Sequence, residues 1–159
     1  MPTDPNPVFM RRAIQLAIEN VHAGRGGPFA AVIVRNGEII GEGANSVTST
    51  NDPTAHGEIN AIRNACRALN TFILRGCEMY TSCEPCPMCL AATYWARIDA
   101  VYFGSSCYDA ARGGFDDSYI YDEIRLDRDA RSLPLRQILS DDAWRSFQAW
   151  IDMPEKTEY

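Results

Sequence analysis

The chain has 159 residues, of which 46% are hydrophobic and 23% are charged, a composition typical of a single globular domain. No apolar run approaches the roughly 18 residues needed to span a bilayer, and the N-terminus lacks the basic start and apolar stretch of a signal peptide. With 15 basic and 21 acidic residues the net charge is −6, which argues against a nucleic-acid partner because such binding depends on basic side chains. We therefore predict one cytoplasmic domain over residues 1–159, without a membrane partner.

In chain order, the first half predicts a helix, a hairpin and a second helix. Asn6 can cap a helix that begins at Pro7, where no amide hydrogen is needed. Two apolar runs then flank Asn36-Gly37, a strong signal for a β-hairpin. After a polar loop at residues 46–53, a second helix is predicted from near Thr54.

The second half alternates strands and helices. Residues 77–82 and 99–104 predict two strands, with a helix between them that Pro85 or Pro87 opens. A last helix is predicted from Ser140. The order helix, hairpin, helix, strand, helix, strand predicts a layered α/β fold.

Two short motifs carry the chemistry. One residue separates His56 from Glu58, and Cys86 and Cys89 follow a proline in a Pro-Cys-x-x-Cys pattern. One imidazole and two thiolates make three ligands for a tetrahedral zinc ion and leave the fourth position open, as in catalytic zinc sites. This pattern is the signature of zinc-dependent base deaminases, whose glutamate carries protons without binding the metal. We predict one zinc ion per chain, held by His56, Cys86 and Cys89, with Glu58 as the catalytic residue.

The spacing of these residues constrains the local structure. Cys86 and Cys89 are three residues apart, so the first turn of a helix directs both sulfurs to the same side. On a regular helix, side chains two positions apart point in directions that differ by roughly 200°. His56 and Glu58 therefore cannot both face a metal from the middle of a helix. His56 must therefore stand at a helix entrance, with Glu58 in the first turn.

A structural zinc site or a redox motif is the alternative for the Cys-x-x-Cys pattern. A structural site needs a fourth ligand, which His22 or one of the four other cysteines could supply. Without a secretory signal we predict reduced thiols, with Cys66 and Cys77 as small buried hydrophobes and Cys83 as a non-ligand. The glutamate beside the histidine favours a catalytic site, because a structural site has no use for it.

Longer stretches carry a family resemblance. From about Gly26 to its C-terminus the chain resembles the cytidine deaminase-like superfamily, and more closely the bacterial guanine deaminases of that superfamily. The zinc motif specifies only the superfamily, whereas the Gly-Phe-Asp-Asp segment and the tail ending in tyrosine favour the guanine group. The stretches that carry the resemblance are residues 27–34, 51–56, 80–89 and 114–117.

The resemblance implies a three-layer α/β/α sandwich with a central mixed sheet, and hydrolysis of guanine to xanthine and ammonia. By motif, Asn45, Phe29, Asp117 and Tyr159 correspond to residues that line the base pocket. The resemblance also implies a domain-swapped homodimer in which the C-terminal segment, about residues 140–159, covers the partner's site. The chemistry of guanine agrees, because a carboxylate such as Asp117 can accept hydrogen bonds from its N1–H and amino group.

Three other functions are compatible with the zinc motif. The first is deamination of another small base or nucleoside, such as guanosine, cytosine or a triazine. The second is tRNA adenosine deamination, against which the net acidity and the Phe-Asp-Asp segment argue, and the third is an inactive, zinc-stabilised binding module.

The chain also departs from the family at Gly57, where alanine is usual, which leaves the placement of Glu58 open.

Overall fold

The computed structural model describes residues 4–159, which form two compact units, one ending at Ser118 and one running from Tyr119 to Tyr159. The single domain predicted over residues 1–159 stays a prediction. Among the residues described, every helix is too short or too polar to cross a membrane.

A four-stranded mixed sheet forms the centre of the first unit. Its strand order is β2-β1-β3-β4, with β1 antiparallel to both of its neighbours and β3 parallel to β4. The predicted mixed sheet flanked by helices is confirmed. The elements are α1 (Pro7–His22), β1 (Ala30–Arg35), β2 (Glu38–Ala44), α2 (Val47–Thr50), α3 (Gly57–Leu69), β3 (Cys77–Cys83), α4 (Pro87–Ala96), β4 (Ala100–Ser105) and α5 (Cys107–Arg112).

Helices cover both faces of this sheet. On one face, Ile33 and Met79 pack with Ala61 and Ala65 of α3, and α4 contributes Ala96. The other face is covered by α1, whose side chains pack against a cluster formed by Val32, Val34 and Tyr80. Because β1 and β3 are buried on both faces, their apolar residues are nearly continuous, which explains why these strands could be predicted from sequence.

The local signals for α1 and the hairpin are confirmed. The side chain of Asn6 accepts a hydrogen bond from Val8 N at 3.0 Å, and Pro7 is the first helical residue. Asn36 and Gly37 both have positive φ angles, 52° and 80°, as a two-residue type I′ turn requires.

Residues 46–53, predicted as a loop, contain the single-turn helix α2. The carbonyl of Ser46 accepts hydrogen bonds from the backbone and hydroxyl of Thr50 and from the hydroxyl of Ser49. Four residues are too short to show helical periodicity, so this turn left no signal in the sequence. The helix predicted from near Thr54 begins three residues later, at Gly57.

The helix α6 (Ser118–Arg125), which the sequence did not predict, lies in the second unit from its second residue onward, and is followed by a 3₁₀ turn (Arg128–Ala130) and α7 (Ser140–Ile151). The last helix begins at Ser140, as predicted, but Leu139 with a φ of 51° takes the capping position. Neither α6 nor α7 buries a residue, and Trp144 stacks on Phe147 at 5.5 Å while remaining 57% exposed.

Gly57 lets α3 approach the sheet closely. A Cβ atom built on Gly57 would lie 2.8 Å from Ala30 Cα and 3.0 Å from the carbonyl oxygen of Phe29. The alanine that is usual in the family would therefore collide with the start of β1, and either the helix or the strand would have to shift.

We expect Gly57→Ala to lower the free energy of unfolding by about 1–3 kcal/mol through overpacking, despite the better helix propensity of alanine. Urea unfolding with zinc present measures this difference. Gly113→Ala is the matched control, because its φ is −80° and the nearest atom to an added Cβ lies at 3.2 Å. Equal stability of the two variants would contradict the close approach at Gly57.

Candidate active site

Two helix N-termini meet at the predicted metal site. His56 is the N-cap residue of α3, and Cys86 is the N-cap residue of α4, both with extended backbone. Neither side chain caps its own helix, so both are available for other partners. The predicted position of His56 at a helix entrance is confirmed.

A turn that ends three residues before α3 places the histidine. The carboxylate of Asp52 accepts hydrogen bonds from the backbone N–H and the hydroxyl of Thr54, at 2.8 and 2.7 Å. The backbone N–H of His56 then donates to the carbonyl of Thr54 at 2.8 Å. These bonds fix the chain direction just before the first helical turn.

The three predicted metal ligands come together. The donor atoms of His56, Cys86 and Cys89 all lie within 4.8 Å of one another, and His56 Nδ1 is 3.5 Å from each sulfur. Zinc bonds of about 2.3 Å to sulfur and about 2.0–2.1 Å to nitrogen, at tetrahedral angles, place these atoms about 3.5–3.6 Å apart. The spacing and chemistry of the donor set therefore fit zinc.

The electrostatics of the site favour a thiolate, the form in which cysteine binds metals. Hydrogen bonds from the Cys89 thiol and from His56 lower the pKa of Cys86 to about 4. The N-terminus of α4 acts in the same direction, because unpaired backbone N–H groups stabilise a negative charge.

Glu58 lies beside this donor set without belonging to it. The side chain is in the first turn of α3, is only 5% exposed, and lines the cavity that opens beside the ligands. Burial raises the pKa of its carboxyl group. A buried carboxyl group beside the cavity is suited to exchange protons.

A cavity of about 420 Å³ in the first unit is lined by His56, Glu58 and Cys86. Three of the four predicted substrate residues, Phe29, Asn45 and Asp117, line it as well. Tyr159 belongs to the second unit, where it is 75% exposed, and its role stays a prediction. The residues that line the cavity are Gly27, Phe29, Asn45, Val47, Thr48, His56, Glu58, Cys83, Glu84, Cys86, Cys107, Ala110, Gly114, Phe115, Asp116 and Asp117.

Hydrogen bonds orient the side chain of Asn45. Its Oδ1 accepts from the backbone N–H groups of Gly27 and Val47, at 3.2 and 3.3 Å, and the residue lines the cavity. The side-chain amide of the buried Asn20 donates hydrogen bonds to the backbone carbonyls of Asn45 and Gly27. These bonds fix the main chain at both residues. Sequence reasoning missed Asn20, although a polar residue on the apolar face of α1 was a usable signal.

Two aromatic rings form one part of the cavity wall. Phe29 and Phe115 meet edge to face, with ring centroids 4.8 Å apart and planes at 87°. Phe115 was not predicted as a site residue, although it lies in the same Gly-Phe-Asp-Asp segment as Asp117.

The cavity wall is acidic. Glu58, Glu84, Asp116 and Asp117 line it, and none of its described lining residues is lysine or arginine. Partial burial raises the pKa of Asp117, and the charge of Cys86 raises it further. Among the described residues that line the cavity, His56 is the one basic side chain, so the cavity suits a ligand that offers N–H donors and disfavours an anionic one.

Residues 4–105 match the family model described as the cytidine and deoxycytidylate deaminase zinc-binding region. The chain belongs to this family. This membership and the His/Cys/Cys group of the structure confirm the prediction of a zinc-dependent deaminase with one zinc ion.

Within this deaminase family, similarity to guanine deaminase of Bacillus subtilis (strain 168) spans nearly the whole chain. The two sequences are 53% identical over 151 residues, 95% of this chain and 97% of that protein. The X-ray structure of a guanine deaminase from Bacillus subtilis superposes with a TM-score of 0.94 at 51% identity, covering 98% of this chain and 99% of that one. A tRNA-specific adenosine deaminase of Aquifex aeolicus (strain VF5) is 51% identical over only 87 residues, 55% of this chain and 56% of that protein.

We expect Cys89→Ala to weaken zinc binding by more than about 100-fold, because even residues that only orient a ligand contribute 10–100-fold. Zinc per chain after dialysis against a weak chelator, measured by elemental analysis, shows the loss. Cys83→Ala is the matched control, since Cys83 lines the same cavity outside the donor group and should retain one zinc ion. Full zinc content in Cys89→Ala would exclude Cys89 as a ligand.

Proposed function

We propose that the protein hydrolyses guanine to xanthine and ammonia. The observation that carries this proposal is the extent of the similarity to the Bacillus subtilis guanine deaminase. That match leaves at most eight residues of the chain uncovered, so it continues well past residue 105, where the family model ends, and into the C-terminal third. The match to the Aquifex tRNA deaminase covers little more than half of the chain, which favours the purine base over tRNA.

The proposed metal ligands are His56, Cys86 and Cys89. Their 3.5 Å nitrogen–sulfur separations and the thiolate character of Cys86 support this assignment. Zinc, when bound, supplies Lewis acidity that brings the pKa of water toward about 7.

Glu58 is the proposed proton carrier. Its carboxylate accepts a proton from water and delivers it to the ring nitrogen beside the carbon that bears the amino group, while the hydroxide so formed bonds to that carbon. It then takes the hydroxyl proton of this adduct and passes it to the amino group, so that the C–N bond breaks, the carbonyl forms and ammonia leaves. Its burial and its position outside the donor group support this role, because a carboxylate bound to the metal could not move protons freely.

Three side chains of the cavity are proposed to hold the base. The Nδ2 donor of Asn45 meets a ring nitrogen or the carbonyl oxygen of guanine, and Asp117 accepts from N1–H and the amino group. The ring of Phe29, in edge-to-face contact with Phe115, packs against the purine ring. The acidic wall supports an uncharged base over a nucleotide, whose phosphate it would repel.

We also propose a homodimer in which residues 140–159 of one chain lie over the cavity of the partner, with Tyr159 in its site. Large exposed apolar surfaces support this assembly, because monomeric proteins rarely expose extended apolar patches. In the second unit, Trp144, Phe147, Trp150 and Ile151 of α7 are all exposed, and in the first unit the exposed apolar side chains include Ile14, Ile18, Val21, Tyr94, Trp95 and Phe103. The cytoplasmic location stays a prediction.

A substrate panel tests the proposed reaction. We expect ammonia release from guanine to exceed release from guanosine, cytosine and an aminotriazine, with xanthine as the product in chromatography. Activity on cytosine without activity on guanine would overturn the proposal. Inosine in the anticodon of treated tRNA would show instead that the protein is a tRNA adenosine deaminase.

Replacing Glu58 with alanine should lower kcat for guanine by about 10²–10⁴, the usual contribution of general acid–base catalysis. Zinc content and the unfolding transition should stay near those of the wild type. Glu38→Ala, which removes an exposed carboxylate at the start of β2, is the control and should keep full activity. Wild-type turnover in Glu58→Ala would exclude the proton-carrier role.

Complementation between two inactive variants tests the exchange of C-terminal segments. Chains with Glu58→Ala and chains lacking Tyr159 are each expected to be impaired, but a mixed swapped dimer has one site with both residues intact. Co-expression should restore about a quarter of wild-type activity, since half of randomly paired dimers are mixed and each has one complete site. Mixed dimers without restored activity would show that Tyr159 does not serve the partner's site.

A further inference from the structure

Glu84 lines the cavity, but none of the roles proposed above uses it. It lies two residues before the proposed ligand Cys86 and is partly buried. Its backbone N–H donates to the carbonyl of Ser105 at 2.8 Å, and its Oε2 accepts from the backbone N–H of Cys107 at 3.0 Å. A carboxylate is thus bound to main chain that lies more than twenty residues further along the sequence.

A neighbouring contact joins the same two segments. The thiol of Cys83 donates to the carbonyl of Ser106 at 3.7 Å, and Cys83 pairs with Ser105 where the parallel strands β3 and β4 end. The end of β3 therefore holds the start of α5 through a strand pair, a thiol and a carboxylate.

Glu84 provides a hydrogen-bond acceptor at the N-terminus of α5. The first N–H groups of a helix have no partner within it. Ser106 and Asp109 form a capping box that satisfies two backbone N–H groups, and Glu84 satisfies that of Cys107. Its negative charge at a helix N-terminus is also electrostatically favourable.

The helix α5 in turn carries one wall of the cavity. Ala110 lines the cavity, and its carbonyl accepts hydrogen bonds from the backbone N–H groups of Gly113 and Phe115, both at 2.9 Å. The segment bound in this way continues to Asp117. A shift at the start of α5 would therefore be passed to Phe115 and Asp117.

We propose that Glu84 is a positioning residue, whose carboxylate fixes the start of α5 and thereby places Phe115 and Asp117 against the substrate. This inference rests on the proposed role of Asp117 in holding the base. Because the affected contacts are made to the bound base before and during the reaction, their loss raises KM more than it lowers kcat.

Glu84→Ala, Glu84→Gln and the control Glu38→Ala separate this role from a general structural one. Hydrogen exchange followed by mass spectrometry should show faster exchange of residues 107–115 in Glu84→Ala, at wild-type zinc content. KM for guanine should rise about tenfold, the size expected for the loss of one hydrogen bond to a charged group, with kcat within about twofold of wild type. Glu84→Gln keeps an acceptor oxygen and should restore both measurements toward wild type.

Unchanged exchange of residues 107–115 in Glu84→Ala would overturn the proposal. Equal defects in the Gln and Ala variants would also overturn it, because an acceptor oxygen at this position would then make no difference to the start of α5. If the wild-type protein deaminates another base instead of guanine, the proposed substrate fails, while the exchange measurement and the KM comparison with that base still test Glu84.

Discussion

Three donor atoms from the starts of two helices lie within 4.8 Å of one another, a spacing that suits one zinc ion, and the rest of the first unit is arranged around this requirement. His56 and Cys86 are N-cap residues, so their side chains leave the chain where the backbone is still extended. A thiolate at Cys86 also needs its negative charge stabilised, which the Cys89 thiol and the imidazole of His56 do by hydrogen bonding and the start of α4 does through its N–H groups. The metal site therefore depends on the meeting of two helix starts.

Close packing brings these helix starts together. Both α3 and α4 contribute to the core on the same face of the sheet, while α1 covers the other face. At Gly57 the backbone of α3 reaches the start of β1, immediately after Phe29. The same contact thus places His56, the buried Glu58 and the aromatic ring of Phe29 beside one another at the cavity.

The chemistry of the cavity follows from its charges. Four carboxylates line it and no described lining residue is lysine or arginine, so a divalent cation is the natural counter-charge. The carboxylates differ in environment: burial raises the pKa of Glu58 and Asp117, whereas a hydrogen bond from Ser118 lowers the pKa of the exposed Asp116. In the proposed mechanism Glu58 exchanges protons, while the remaining carboxylates of the wall accept hydrogen bonds from an uncharged ligand.

The sequence by itself determined the features that depend on neighbouring residues. The capping of α1 by Asn6, the turn at Asn36-Gly37 and the entrance position of His56 all follow from spacings of a few residues, and the structure confirms them. The sequence also predicted the three donor residues that the structure brings within 4.8 Å of one another, because zinc restricts both the type and the spacing of its ligands.

Tertiary structure alone decided which distant residues share the cavity. The contact of Glu84 with Cys107, the support of Asn45 by Asn20 and the pairing of Phe29 with Phe115 join residues 23 to 86 positions apart. No local spacing encodes such contacts, since they arise only when the parallel pair β3–β4 and the packing of α1 bring the segments together. A motif specifies the reacting atoms, whereas the shape around them requires the folded sheet.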